Sequence, residues 1–432
     1  MPGVIKMKFA ICNLGCKVNN YEANWYAQEL SKKYEEVRWG QKADIYIINS
    51  CTVTNVAGSK TRQMMHRARK QNENAVLCVV GCYVQMEAED EDIFRDVDIL
   101  VGSSHKKEIP ELIDRFLQDH DKISIVEDLK GCPFEEMKLN SFSQTRAYLK
   151  IQDGCNQFCS YCVIPYARGR ERCLDPDKVI EIAGSLVSNG HSELVLTGIH
   201  TGRYRYGDTD FTSLARRLLN EVEGLKRLRI SSIEMTEVTD ELADFMSKDD
   251  RIAHHLHIPM QTGCDEILKA MNRPYTTADY LARIEEIRKK VPDVSISSDV
   301  IVGFPGESEE NFQSTVEFIR KVNLSFLHVF PYAAKKHTPA AVMKNQIPDA
   351  VKKQRVAELT RLSDELYNSY VRQFVGNSGK VLFETYRDGF LQGHNSEYVL
   401  VRIKSDDISL LHQMKDVKYQ DVNDDYLLGE LL

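Results

Sequence analysis

Residues 148–170 read YLKIQDGCNQFCSYCVIPYARGR. The opening residues 148–152 predict a short strand, closed by Gly154. Cys155, Cys159 and Cys162 follow at CxxxCxxC spacing, with Tyr161 just before the third. Thiolates this close on one loop can bind three irons of a cubane cluster, and with no adjacent fourth cysteine one iron stays open. An open coordination position is what separates a catalytic metal site from a structural one. Zinc and plain core thiols are the competing readings, although zinc motifs usually pair two CxxC units or add histidines, and neither accompanies this loop.

Downstream, strand signals recur at 193–197, 229–233, 255–258, 295–302 and 326–330, with helical stretches at 176–188, 211–223 and 278–290. Six βα units are too few for a closed eight-stranded barrel. They predict a partial (βα)6 barrel whose active face is the carboxyl end of its strands. A long helix at 349–374 then leads to short strands at 380–385, 398–403, 417–419 and 426–430. That change of period predicts a small C-terminal β-barrel of the kind used as a nucleic-acid module.

Upstream, strands at 8–14, 44–49 and 75–80 alternate with helices at 21–33, 56–70 and 108–117. Apolar strands between amphipathic helices predict an α/β domain with a parallel sheet. Each of the three strands runs into a Gly or Ser and then a cysteine: Cys16 in "NLGC", Cys51 in "INSC" and Cys82 in "VVGC". Strand carboxyl ends share one edge of a parallel sheet, the edge where open α/β folds bind ligands. Three thiols far apart in sequence are therefore expected to converge. Residues 119–144, with Gly131, Cys132 and Pro133, break the pattern and read as a linker region.

The whole chain has 432 residues, a formal charge of −8 and eleven cysteines. An odd number spread over a chain long enough to build its own core makes a disulfide framework a poor explanation. Core thiols, metal ligands and catalytic thiols are the readings suited to a reducing cytosol. The longest apolar stretch, 76–84, is far short of the ~18 residues a membrane span needs. The chain also opens without a charged segment and apolar signal core, so membrane insertion and secretion are both disfavoured.

CxxxCxxC after the first strand of a partial barrel resembles the radical S-adenosylmethionine (SAM) superfamily. The likeness extends to "CNLGCKVNNYEA", "INSCTVTNVAGSKTRQ", "VVGCYVQ", "LVLTGIHTGRY", "RISSIEMTEVTDEL", "HLHIPMQTGCDEILKAMNRPYT" and "SDVIVGFPGE", which resemble the methylthiotransferases nearly end to end. The phrases "LGCKVNNYE", "SCTVTNVA", "IPYARG" and "LTGIHTG" are closest to the branch acting on N6-threonylcarbamoyladenosine beside the tRNA anticodon. The resemblance implies an N-terminal methylthiotransferase domain (1–125), a linker (126–140), a radical SAM domain (141–372) and a TRAM RNA-binding domain (373–432).

The resemblance also implies two 4Fe-4S clusters: a SAM-binding one on Cys155, Cys159 and Cys162, and an auxiliary one on Cys16, Cys51 and Cys82. In the family scheme one SAM supplies the methyl group. A second is cleaved to a 5′-deoxyadenosyl radical, chemistry that belongs to the cofactor while the protein supplies placement. The family's SAM-contact regions fall on Tyr161, Thr197, Gly198, Glu234, Gln261 and Gly303. The expected partners are the tRNA anticodon loop and an electron donor such as flavodoxin or ferredoxin, with a cytoplasmic location. Sister enzymes act on isopentenyladenosine in tRNA or on an aspartate of a ribosomal protein. An iron–sulfur RNA-binding or redox-sensing protein is the non-enzyme alternative.

For an acidic chain, local basic surfaces must carry any phosphate contacts. Lys60, Arg62, Arg67 and Arg69, on a helix just after Cys51, and Arg168 and Arg170, just after the radical loop, are the candidates. A solvated helix face is the bland reading of the first group. Cys12 and Cys78, within strands, read as core thiols, and Cys132, Cys173 and Cys264 have no partners at metal spacing. "VGFPGE" reads as a turn that lets backbone approach a ligand. A lone histidine, His337, is assigned no catalysis.

Overall fold

The computed structural model describes residues 6–53, 55–423 and 425–432; of the segments discussed above, Thr54 of "SCTVTN" and residues 1–5 lie outside the described residues. The first unit contains β1 (Lys8–Asn13), α1 (Lys17–Leu30), the two-residue β2 (Glu35–Glu36), β3 (Ile45–Ser50), α2 (Asn55–Gln71), β4 (Val76–Gly81) and α3 (Cys82–Glu87). It continues through β5 (Ile99–Val101), α4 (Ile109–Asp119) and β6 (Ile123–Ile125). All six strands pair in parallel, in the order β2-β1-β3-β4-β5-β6. Every residue of β3 and β4 is buried, as expected of central strands covered on both faces. The strand order reverses between β1 and β3, the topological position at which doubly wound sheets bind ligands.

Strands β5 and β6 are too short to show a sequence period, and β6 falls inside the stretch read as a linker. The rest of that stretch is irregular but pinned: Leu129, Met137 and Leu139 are buried, and the Tyr21 hydroxyl donates to the Met137 carbonyl.

The second unit begins with β7 (Ala147–Lys150), then β8 (Gln152–Asp153), α5 (Ile164–Arg168) and β9 (Arg172–Cys173), with β8 and β9 pairing antiparallel around the cysteine loop. Next come α6 (Pro176–Ser188), β10 (Glu193–Thr197), a small hairpin of β11 (Arg205–Tyr206) and β12 (Thr209–Asp210), α7 (Phe211–Glu221) and β13 (Arg227–Ile230). The unit closes with α8 (Asp240–Lys248), β14 (His255–His257), α9 (Asp265–Ala270), α10 (Thr277–Lys290), β15 (Ser295–Val302), α11 (Glu309–Val322) and β16 (Phe326–Pro331). Side-chain caps start the helices where the sequence carries them: Asp175 accepts from the Asp177 amide, and Thr276 and Ser308 form capping boxes.

β7, β10 and β13 form one parallel sheet, and β14, β15 and β16 another. Backbone bonds between Leu228 and Arg251 and between Ile233 and His257 join the two. The result is an arc of six parallel strands, the expected partial barrel.

Helix α12 (Asp349–Arg372) leads to a closed barrel of β17 (Ser378–Arg387), β18 (Phe390–His394), β19 (Leu400–Lys404), β20 (Met414–Asn423) and β21 (Tyr426–Leu431). The sequence reading missed β18, which follows a two-residue turn of Asp388 and Gly389, both at positive φ. Arg227 and Arg229, bound to the buried Glu193, seat this barrel on the second unit by donating to the carbonyls of Lys380, His394, Asn395 and Ser396.

Candidate active site

The CxxxCxxC loop leaves β8 through Gly154, whose φ of +73° favours glycine and where a Cβ would lie 2.0 Å from the Arg170 carbonyl oxygen. The Cys155 amide donates to the Gly169 carbonyl, and the Gln157 amide approaches Cys155 Sγ at 3.4 Å. Burial, then the neighbouring Cys159 thiol, pushes the Cys162 thiol up to about 12. Burial also raises Cys159, opposed by Arg273, whose guanidinium lies 3.4 Å from Cys159 Sγ and also pairs with Glu234. Thiols that raise one another's pKa sit in one another's field, the environment that a shared cation relieves.

His200 Nδ1 lies 3.5 Å from Cys155 Sγ, and its Nε2 lies 2.7 Å from Glu237. Burial lowers the His200 pKa, but hydrogen bonds with Cys155, Glu171 and Glu237 outweigh it and lift it to about 12. His200 and Arg273 lie inside quoted phrases, "LTGIHTG" and "MNRPYT", yet no spacing signal marked either. Only the folded strands bring them to the sulfurs.

Cys16 stands just before α1, Cys51 just after β3, and Cys82 opens α3 directly after β4. All three occupy the carboxyl edge of the parallel sheet, with Cys16 and Cys51 on the two sides of the strand-order reversal. Burial and then the Cys82 thiol push Cys51 up to about 11, with a further contribution from Cys16. Asn19 ties this edge together, accepting from Cys16 Sγ at 3.4 Å and donating to Asn49 Oδ1 and the Ser50 carbonyl. A cavity of about 280 Å³ is lined by Thr52, Tyr83 and Val163, the chain neighbours of Cys51, Cys82 and Cys162, together with Arg62 and Lys336. Cys12 and Cys78 are buried within β1 and β4, and all eleven cysteines are free thiols.

The remaining candidate residues divide. Thr197 is fully buried, and among the described residues its hydroxyl has no hydrogen-bond partner, as a ligand-facing group would have none from the protein. Gly198 packs on Gln152, whose side-chain oxygen accepts from the Ile199 and His200 amides. Gln261 has a φ of +67° and bridges to β15 through Asp299 and Ile301. Tyr161 packs with Ile267, Met271, Phe304, Tyr332 and Ala340.

Gly303 lies where α12 packs. The group approaching it is the Lys352 side chain of α12, and its amide donates to Glu307, which pairs with Arg355 at 2.7 Å. The turn therefore packs a helix.

Arg168 and Arg69 are corrected. Arg168 is 1% exposed and bonded to Glu22, Asp153 and Asn19, so it cannot reach a phosphate. Arg69 folds back on Asp98 and on the carbonyls of Asp96 and Ala75. Lys60, Arg62, Arg67 and Arg170 are exposed. Arg170 stacks over Phe158 at 4.6 Å, and Phe158 meets Tyr166 edge-on. Both rings line a cleft of about 830 Å³ with His337, Gln85 and Lys130.

The chemistry of both donor sets suits an iron–sulfur group. Each gathers three thiols that act on one another electrostatically, with a buried guanidinium alongside, Arg273 at one and Arg168 at the other. Arg168 Nε is buried with no protein partner among the described residues.

Residues 149–319 match the family model of the Radical SAM superfamily, and residues 8–102 match Uncharacterized protein family UPF0004. The chain is 42% identical over 405 residues to the threonylcarbamoyladenosine tRNA methylthiotransferase MtaB of Bacillus subtilis (strain 168), covering 91% of this chain and 90% of that one. It is 30% identical over 442 residues to the tRNA-2-methylthio-N(6)-dimethylallyladenosine synthase of Clostridium novyi (strain NT), covering 99% and 97%. Among solved structures, the radical SAM methyltransferase TsrM from Kitasatospora setae shares the fold, with a TM-score of 0.56 at 14% identity over 78% of this chain and 77% of that one.

Proposed function

The chain belongs to the radical SAM tRNA methylthiotransferases, and from that membership we propose that it replaces the C2 hydrogen of N6-threonylcarbamoyladenosine, at tRNA position 37, with a methylthio group. The observation that carries the substrate is the 42% identity to a threonylcarbamoyladenosine enzyme across nine-tenths of both chains, against 30% to a dimethylallyladenosine enzyme.

In this reading Cys155, Cys159 and Cys162 would hold a 4Fe-4S cluster with SAM on its open iron, and Cys16, Cys51 and Cys82 a second cluster. When bound, these groups supply one-electron cleavage of a sulfonium and a transferable sulfur. The chain's own residues place and shield them. Arg273 and His200 steady the thiolates of Cys159 and Cys155, and the Thr197 hydroxyl offers a polar contact inside the barrel.

An anticodon-loop base is already unpaired and can be splayed out at modest cost. Phe158, Tyr166 and Arg170 offer flat surfaces for a neighbouring base, and Lys60, Arg62 and Arg67 offer charge for the backbone. The division into residues 1–125, 126–140, 141–372 and 373–432, a flavodoxin or ferredoxin as electron donor and a cytoplasmic location complete the reading. Among the described residues no helix is long and apolar enough to cross a membrane.

Mass spectrometry of tRNA nucleosides tests it, using cells with and without this protein. The 2-methylthio form of threonylcarbamoyladenosine should vanish and the unthiolated form accumulate. Unchanged levels would refute the substrate, and loss of methylthiolated isopentenyladenosine instead would reassign it.

A further inference from the structure

A buried group of charges joins the two cysteine triplets. Arg168, on α5 after the radical loop, places Nη1 3.2 Å from Glu22 Oε1 and 3.1 Å from Asp153 Oδ1. Its Nη2 donates to Asn19 Oδ1 at 2.6 Å, and that oxygen also accepts from Cys16 Sγ. Lys106 and Lys150 share Glu22 Oε1 at 3.0 Å each, while Lys150 and Arg172 reach Asp153. Four cations thus face two carboxylates, with Glu135 at the edge as a third anion.

Two observations together point beyond a clamp between two units. The group carries more positive than negative charge, and a buried excess of charge is costly unless an opposite charge sits beside it. The Nε–H is a buried donor with no protein acceptor among the described residues, an arrangement that is unfavourable if nothing else accepts it. The groups that act on the Arg168 charge are Cys82, Asp153, Glu22 and Cys16; the two carboxylates already take Nη1, which leaves the thiols, and Asn19 links Nη2 to Cys16. Three thiolates on an iron–sulfur group form an anion rich in sulfur acceptors, which answers both needs.

We propose that Arg168 is a positioning residue of the auxiliary site: held by Asp153 and Asn19, it gives its Nε–H to a sulfur of the iron–sulfur group on Cys16, Cys51 and Cys82, and so sets that group's reduction potential. This rests on the reading that those three cysteines hold a cluster. Hydrogen bonds to sulfur and nearby positive charge both make such a cluster easier to reduce. The same guanidinium fixes the auxiliary edge against the strand that carries the radical loop.

The test uses the full-length chain with Cys155, Cys159 and Cys162 changed to Ala, reconstituted with iron and sulfide so that only the auxiliary cluster forms. With ¹⁵N-labelled arginine, pulsed electron paramagnetic resonance of the reduced cluster should show an arginine nitrogen coupling that disappears in Arg168→Lys. Redox titration of Arg168→Gln should show at least a tenfold shift toward harder reduction, ~59 mV for a one-electron couple, with a smaller shift for the lysine variant. A cluster of normal iron content with no arginine coupling, or variants that lose thermal stability at unchanged potential, would reduce Arg168 to a structural clamp and overturn the proposal. Failure of the triple-Ala chain to take up iron would overturn the three-cysteine site itself. The coupling is read in a chain that retains Arg168, so a misfolded glutamine variant does not remove the test.

Discussion

Arg168 Nη1 lies 3.2 Å from Glu22 Oε1, both side chains are fully buried, and the pair joins α5 of the barrel to α1 of the parallel-sheet unit. Glu22 also takes both Lys106 and Lys150. Truncating one partner of such a group leaves buried charge uncompensated, which costs ~3–5 kcal/mol. Glu22→Ala should destabilise the apo chain by about that amount in urea denaturation. Glu22→Gln, which keeps the volume and one acceptor, should cost less. A Glu22→Ala chain as stable as the parent would show that the two units are joined by other contacts.

Acid should loosen the same junction. Burial alone would raise the Glu22 carboxyl, but Lys106, Lys150 and Arg168 hold it below its usual range, and Asp153 is depressed by Lys150, Arg168 and Arg172. Glu193, which seats the C-terminal barrel, is lowered to about 2 by Arg229 and Arg227 against its burial. A depressed carboxyl contributes stability that is complete above its unfolded value of ~4.3 and is lost as pH falls toward the folded value. The melting temperature of the apo chain should therefore drop steeply between pH 4.5 and 2. Replacing Glu193 by Gln should flatten that drop, and an unchanged acid profile in the variant would count against the assignment.

The two triplets should separate in function. Cys155→Ala should abolish formation of 5′-deoxyadenosine from SAM under reducing conditions. Cys16→Ala should keep that cleavage while losing methylthiolated product. A Cys16→Ala enzyme that still makes product over multiple turnovers would refute the division of roles.

The arginines sort by exposure. Arg67→Ala and Arg170→Ala should each weaken tRNA binding and lower the slope of log K against log salt by about one, as expected for the loss of one phosphate contact. Arg69→Ala should leave that slope unchanged and instead lower stability, because its guanidinium is committed to Asp98 and to backbone carbonyls. Filter binding across a salt series, with a thermal melt of each variant, distinguishes the two classes.

Arg168 and Arg170 stand two residues apart in one basic phrase, and the sequence offers nothing to tell them apart. One is buried in an ion-paired junction and the other lies in the open over Phe158. Gly303 likewise reads only as an open turn, and the fold alone shows Lys352, about fifty positions away, packed beside it. The cysteines were legible because their signals are local. CxxxCxxC is a spacing on one loop, and each of Cys16, Cys51 and Cys82 ends an apolar run whose direction in a parallel sheet is fixed by the helical crossover that follows it. Periodicity and strand direction, which depend on neighbours in the chain, thus determined the sheet, the partial barrel and the sharing of one edge by three thiols. Tertiary structure alone decided what surrounds those thiols: His200 at Cys155, Arg273 at Cys159, and Asn19 and Arg168 at Cys16. Whether a charge is solvated or buried depends on which distant segment packs over it, and that is a property of the fold rather than of the residue's neighbours in sequence.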